Sequence, residues 1–187
     1  MEVQPKNTWV KVPGFKTRVA DDPLYEADDV ASLNPNGRGD TDRSDVKRSS
    51  LLTQKRIMTV GCWNVRTLLT TGALEVLLNE LEKFRWDVMG ISETHWTGVD
   101  DFRLKGCRII SSGQERTHRS GVALILGPLA QAAFIGCNPV NDRILTARFQ
   151  ALTGCVICQV YAPTAEASDT DIEAFYGELQ RVISSTP

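Results

Sequence analysis

The chain has 187 residues, a net charge of −2 and a pI near 5.7, a length that suits one domain with a tail rather than two domains. Apolar residues make up 42% and charged residues 24%, which excludes a chain disordered throughout. The charge excludes a polybasic protein that binds nucleic acid through bulk electrostatics, though not one with a local basic groove.

Residues 1–56 and 57–187 differ in character. About 30% of the first group are apolar, against about 47% of the second, and only the second share is usual for a globular domain. Turn-forming and mixed-charge runs such as Asp21-Asp22-Pro23 and Asn34–Asp40 cannot bury enough apolar surface to offset ordering entropy. We therefore expect a disordered or loosely ordered tail over 1–56, in which Trp9, Val10, Val12 and Phe15 can dock as a short strand or serve as a partner-binding stretch. Arg38-Gly39-Asp40 in such a tail is read as a chance tripeptide. The first thirty residues lack the apolar core of a signal peptide. The longest apolar stretch, Val122–Ile135, is broken by Gly127, Pro128 and Gln131, so no membrane span is expected. These features lead us to expect an intracellular, non-secreted protein with no membrane partner.

From Ile57 onward the pattern alternates between strand and helix. Ile57–Trp63 reads as a short apolar strand. Leu74, Leu77, Leu78, Leu81 and Phe84 recur at helical spacing and predict an amphipathic helix from about Gly72 to Arg85. Trp86–Ser92 is again an apolar strand, so the three elements form a βαβ unit with parallel strands. The period then changes to 2. Cys107–Ser111 and Gly121–Leu126 flank a polar loop, Ser112–Ser120. Ala132–Cys137, Ile144–Gln150 and Cys155–Val160 come next, separated by turn residues such as Asn138-Pro139 and Thr153-Gly154. Thr170-Asp-Ile-Glu173 has capping-box spacing, and Ile172, Phe175, Tyr176, Leu179, Val182 and Ile183 then fall on one helical face.

Five cysteines without a signal peptide argue against a disulfide framework, and no disulfide partner is expected. Cys155 and Cys158 have metal-ligand spacing but lie in an apolar strand with no second pair, so they are read as buried thiols.

Three polar residues stand where apolar strands finish: Asn64, Glu93 and Tyr161. Ligands of α/β sheets bind at the carboxyl ends of strands. If these strands end together, an amide, a carboxylate and a phenol meet at one edge. A carboxylate with water can hold Mg²⁺, which leans on substrate phosphate oxygens, while amide and phenol donate to phosphate without adding negative charge. Taken singly, the asparagine is equally a turn former and the tyrosine a packed ring.

The segments Gly61-Cys-Trp-Asn-Val-Arg-Thr-Leu68, Asp87-Val-Met-Gly-Ile-Ser-Glu-Thr-His-Trp96, Gly121–Leu126, Asn141-Asp-Arg-Ile-Leu-Thr-Ala-Arg-Phe149 and Val160-Tyr-Ala-Pro-Thr164 occur in order. Together they resemble the endonuclease/exonuclease/phosphatase superfamily. The resemblance is strongest to the endonuclease domain of non-LTR retrotransposons, including the craniofacial-development-protein-2-like proteins related to them. It covers about residues 57–185. It implies an α/β fold that is the amino-terminal half of a four-layer α/β sandwich of the DNase I-like kind.

The resemblance also implies roles. Glu93 is then the metal-binding glutamate and Asn64 the first-strand asparagine that supports the metal and phosphate site. Tyr161 contacts the scissile phosphate, and Arg143 precedes a central strand and helps order the site. His95 is placed to touch the DNA backbone, although by itself it reads as a half-exposed loop histidine. His118 reads as inert. Arg66, Arg103, Arg116 and Arg119 are a possible phosphate-binding surface and equally an ordinary solvated set. The implied cofactor is Mg²⁺ and the implied partner DNA, with a nuclear location if the protein acts there.

The departures from the pattern are specific. The chain contains neither the family's Gly-Asp-x-Asn segment nor its late Ser-Asp-His segment with the general base. Asp169 and Asp171 fall at a helix start and do not replace them. The implied metal site is therefore incomplete, and the chain reads as a fragment of a metal-dependent phosphodiesterase, inactive as it stands. The alternative is a non-catalytic, retroelement-derived protein that binds DNA or protein. A lipid or inositol phosphatase of the same superfamily is disfavoured by Glu93-Thr-His-Trp96. A half-sandwich carries a further expectation: the inner sides of Val122–Leu126, Ile144–Phe149 and Val156–Val160 lack part of their cover.

Overall fold

The parallel unit expected from the sequence is present. In the computed structural model, which describes residues 8–15, 56–151 and 154–186, strand β2 (Arg56–Asn64) runs parallel to β3 (Val88–Ser92), with helix α1 (Ala73–Leu81) between them. Leu74, Leu77, Leu78 and Leu81 are the buried stripe of α1. The helix begins after Gly72, whose φ of +82° suits glycine. It ends four residues earlier than its apolar periodicity predicts. The Trp86 indole Nε1 donates to the Leu81 carbonyl at 2.9 Å, supplying a partner to a carbonyl at the helix end.

Strand β1 (Thr8–Phe15) pairs antiparallel with β2, at the place where the sequence allows a short docked strand. Apart from it and Arg56, the tail expected over 1–56 lies outside the described residues. Beyond β3 the chain forms β4 (Val99–Leu104), β5 (Cys107–Ser112) and β6 (Val122–Leu126), and the six strands make a mixed sheet in the order β1-β2-β3-β6-β5-β4. Strands β4 and β5 are joined through Lys105 and Gly106, both at positive φ, the conformation of a type I′ hairpin turn. The sequence pattern did not reveal β4, because Val99-Asp-Asp-Phe-Arg-Leu104 is an exposed edge without apolar alternation.

A short helix α2 (Pro128–Ala133), also unforeseen, leads into β7 (Phe134–Asn141), β8 (Ile144–Phe149) and β9 (Cys155–Val160). These three form a second, antiparallel sheet in that order. Asn138-Pro139, read from the sequence as a turn, lies inside β7. The proline is accommodated at the sheet edge, next to a break in register between Pro139 and Asn141. Helix α3 (Asp169–Ser184) closes the described chain. Its cap is Ser168 rather than Thr170: Ser168 Oγ accepts the Asp171 N–H at 3.1 Å. Phe175 and Val182 of α3 are buried, whereas Tyr176 and Ile183 of the expected face are exposed.

The packing order is α1, six-stranded sheet, three-stranded sheet, α3. Met89, Ile91, Ile109, Ala123 and Ile125 meet the α1 leucines. Met58, Val88, Val122, Leu124 and Leu126 meet Leu145, Ala147 and Phe149 between the sheets. Ile144 joins Phe175 and Val182 on the far side. The unbroken apolar run Val122–Leu126 is thus divided between two cores by strand alternation. This corrects the expectation of uncovered inner sides for β6 and β8. Val122, Leu124, Leu145 and Phe149 are all 0% exposed, because the short second sheet already covers that face. Among the described residues no helix is long and apolar enough to cross a membrane.

Candidate active site

Parallel register brings the first two candidates together. Asn64 pairs with Ser92 as the last rung of β2 and β3, so Glu93 leaves β3 beside Asn64. The Asn64 amide Nδ2 donates to Glu93 Oε1 at 2.5 Å, and its Oδ1 accepts the Arg66 N–H at 3.0 Å. Glu93 holds φ +60°, as does His95, and Arg66 holds φ +63°. Side chains rarely adopt this left-handed backbone region.

The second sheet supplies the other two. Ile144 pairs with Val160, which places Arg143 and Tyr161 just beyond the ends of β8 and β9. The Tyr161 N–H donates to the Arg143 carbonyl at 2.8 Å. In return, Arg143 Nη1 donates to the Tyr161 and Ala162 carbonyls at 3.1 and 3.3 Å. The guanidinium carbon lies 4.9 Å from the Tyr161 ring centroid, a cation–π distance. Asn141 Oδ1 accepts the Arg143 N–H at 2.8 Å and fixes the turn. The Tyr161 phenol faces Glu93. Burial pushes its ionisation above the usual phenol value, and a hydrogen bond to the Glu93 carboxylate and that group's charge push it further, with Arg143 opposing. Asn64, Glu93, Tyr161 and Arg143 thus form one chain of contacts across the two sheets.

His95 stands on a strap beside this group. Its N–H donates to the Ser120 carbonyl at 2.8 Å, and His118 Nδ1 lies 2.7 Å from the His95 carbonyl. His118, read from the sequence as inert, therefore belongs to the loop that holds the strap. Thr94 between Glu93 and His95 is 0% exposed. Its N–H donates to the Gly121 carbonyl at 3.1 Å, and the Gly121 N–H donates to the Asp142 carbonyl at 3.1 Å. The Asp142 carboxylate also accepts from Ser120 and from Gln114. Sequence reasoning missed this Asp142 hub; its one signal is that Asp142 lies beside Arg143 in the fourth motif.

The four arginines offered as a phosphate surface do not share one end of the sheet. Arg66 adjoins Asn64, and Arg116 and Arg119 lie in the loop between β5 and β6, whose ends are at the Glu93 edge. Arg103 pairs with Arg108, which pairs with Leu126 and through it with Val88, so it stands at the opposite end, bonded to Gln131 at 2.7 Å. Cys155 packs towards the inter-sheet core and Cys158 towards α3. Opposite faces of one strand cannot present two sulfurs to one ion. Among the described residues there is no group of three or more His, Cys, Asp or Glu that could hold a metal. Asp169 and Asp171 lie in the first turn of α3.

No family model matches the chain. It is 40% identical over 129 residues to craniofacial development protein 2 of Bos taurus, an alignment that covers 68% of this chain and 22% of that protein. The same protein of Tragulus javanicus is 39% identical over 129 residues, with the same coverage. The chain thus spans about a fifth of the length of the curated relatives it matches. Over that stretch it is homologous to craniofacial development protein 2, a protein of the endonuclease/exonuclease/phosphatase and retrotransposon-endonuclease superfamily that the five motifs resemble.

Proposed function

We propose that the chain is the amino-terminal half of a DNase I-like, metal-dependent phosphodiesterase of the retrotransposon DNA-endonuclease type. In this reading it binds DNA and, without further residues, does not turn it over. The observation that carries the reading is the convergence of Asn64, Glu93, Tyr161 and Arg143 at one end of two packed sheets. The packing order of helix, sheet, sheet and helix supports the four-layer sandwich.

The donor set suits Mg²⁺. Glu93 is only half-buried and Asn64 is exposed, so water reaches both. Mg²⁺ keeps several waters and uses one or two carboxylates with substrate phosphate oxygens. Glu93 would hold the ion with support from Asn64. The bound ion would supply charge stabilisation at the phosphoryl oxygens.

The chain's own residues do the rest. Tyr161 keeps its proton at neutral pH and donates it in a hydrogen bond to a phosphate oxygen. Arg143 holds the ring through its stacking and its two carbonyl bonds. Asn64 offers an amide donor, and His95 on its strap reaches the DNA backbone. No residue is assigned as general base, and loss of such a group typically costs 10²–10⁴-fold. Action on DNA would place the protein in the nucleus.

A second reading is a non-catalytic, retroelement-derived binding protein. It is favoured by the lack of a multi-ligand metal cluster among the described residues. Fluorescence anisotropy of a short labelled duplex with the purified chain, with and without Mg²⁺, separates the two. The proposal expects Mg²⁺-dependent binding that Glu93→Gln abolishes, with no nicking of supercoiled DNA by either protein. Binding indifferent to both Mg²⁺ and Glu93 would support the second reading. Nicking that requires Glu93 would overturn the half-site.

A further inference from the structure

Among the described residues, the core between the two sheets contains one long polar side chain. Gln159 points inward from β9 and is 7% exposed, in a layer otherwise built from Val88, Val122, Leu124, Leu145 and Ala147. Burying an amide is costly unless its polar atoms find partners. Gln159 Nε2 donates to Ser92 Oγ at 2.9 Å and lies 3.4 Å from the carbonyls of Ile91 and Val160.

The opposing strand is shaped to receive it. Inward positions of β3 are Val88, Gly90 and Ser92, while Met89 and Ile91 face α1. A Cβ at position 90 would lie 1.8 Å from Gln159 Oε1 and 2.7 Å from its Cδ. The missing side chain at Gly90 therefore makes the slot, and the Ser92 hydroxyl provides its polar end.

The location of this bond matters more than its strength. Ser92 immediately precedes Glu93, and Gln159 stands two residues before Tyr161. Glu93 rides on one sheet and Tyr161 on the other. An apolar contact between the sheets would let them slide, since dispersion is not directional. A hydrogen bond fixes distance and angle at that one point.

We infer that Gln159 is a positioning residue, which holds Glu93 and Tyr161 at working separation by pinning the end of β9 to the end of β3. The inference rests on the reading of Glu93 and Tyr161 as partners in one site. It is readable without turnover, through Mg²⁺-dependent binding of DNA.

The test uses the full chain and the fluorescence anisotropy of a short labelled duplex with and without Mg²⁺, with circular dichroism of each variant recorded to establish that it is folded. Glu93→Gln and Tyr161→Phe are each expected to remove most of the Mg²⁺-dependent gain in binding. Gln159→Met keeps the length and apolar volume of the side chain and is expected to lose a large part of the same gain, because Tyr161 drifts from Glu93, while Mg²⁺-independent binding stays unchanged. Ser92→Ala removes one bond with little change in volume and is expected to act in the same direction, whereas Ser92→Thr, which keeps the hydroxyl, retains the gain; the Ser92 pair decides the matter if Gln159→Met does not fold. A gain lost with Glu93→Gln but kept in the folded Gln159→Met and Ser92→Ala variants overturns the positioning role alone. A gain that Glu93→Gln fails to reduce overturns the pairing itself, and the positioning role with it.

Discussion

The Asn64 amide donates to the Glu93 carboxylate at 2.5 Å, from a position 29 residues earlier in the chain. Its oxygen accepts the Arg66 N–H, so both ends of the amide are engaged and its orientation is set. The Tyr161 phenol stands near the same carboxylate, which helps to hold the phenol's ionisation above the usual value. Both neighbours are neutral, so they do not cancel the charge of Glu93. That is the state a carboxylate needs if it is to attract a cation.

Replacing Asn64 by Asp converts this neutral contact into two carboxylates side by side. Like charges disfavour ionisation, so one carboxyl pKa rises in the folded state. The destabilisation is then present at neutral pH and relieved as pH falls and a proton binds. With solvent screening at this exposed position, we expect about 1 kcal/mol, or roughly 2–4 °C in Tm, at pH 7. Thermal melts of wild type and Asn64→Asp should differ at pH 7 and converge near pH 4. Added Mg²⁺ should raise the Tm of the variant more than that of wild type.

Glu93 is held at φ +60°, where glycine is comfortable and other residues are strained. Glu93→Gly and Glu93→Ala lose the same carboxylate, but only glycine relieves the backbone. The Gly variant should be the more stable by about 0.5–1 kcal/mol, after allowance for its freer unfolded chain. At a position of negative φ the order would be reversed. Paired denaturant titrations check the sign.

How much of the fold and site was legible depended on where the signal lay. Asn64, Glu93 and Tyr161 could be read because each comes after an apolar run, and parallel pairing of β2 with β3 follows from the leucine spacing between them. Strand β4 could not be read, because a solvated edge carries charges where a buried strand carries alternation. Asn138-Pro139 looked like a turn, because proline is unsuited to a sheet interior but tolerated at an edge. The α3 cap was misplaced by two residues because Ser168 and Thr170 both have an acidic residue three positions on. Gln159 and Asp142 were missed for a different reason. Their importance lies in contacts with residues distant in sequence, which no local pattern records.

Gly113 and Gly136 should respond unequally to alanine. A Cβ at 113 would lie 1.8 Å from the Trp96 carbonyl oxygen, a backbone atom that cannot swing away, whereas at 136 nothing lies within 4 Å. Gly113→Ala should destabilise by about 1–3 kcal/mol, the usual range for overpacking. It should also displace the loop that carries His118 and Arg119. Gly136→Ala should be near neutral. Urea midpoints of the two variants provide the comparison.

The thiols should react in an order set by burial. Cys62 is exposed. Burial pushes Cys107, Cys155 and Cys158 above the usual thiol value, with Glu82 adding to the effect at Cys107. Less thiolate at a given pH means slower alkylation. Mass spectrometry of timed iodoacetamide reactions at pH 8 should find Cys62 modified first and Cys155 and Cys158 late, with the late pair accelerating as pH rises. Added Zn²⁺ should not protect Cys155 and Cys158, since their sulfurs face opposite sides of β9.

The borders of the two sheets are unequal. Strand β4 carries Asp100, Asp101 and Arg103 along its length, β7 contains Pro139 and two breaks in register, and β1 has a break between Val12 and Phe15. Each is a device that discourages another strand from joining. Strand β9 has none of them: Cys155-Val-Ile-Cys-Gln-Val160 is uncharged, lacks proline and runs in unbroken register with β8. Among the described residues the fold is therefore fenced on three sides and open on the fourth, so growth of the sheet is expected to be directional and to begin at β9. Light scattering should show concentration-dependent association that a lysine at Val160, on the outer face and 38% exposed, suppresses.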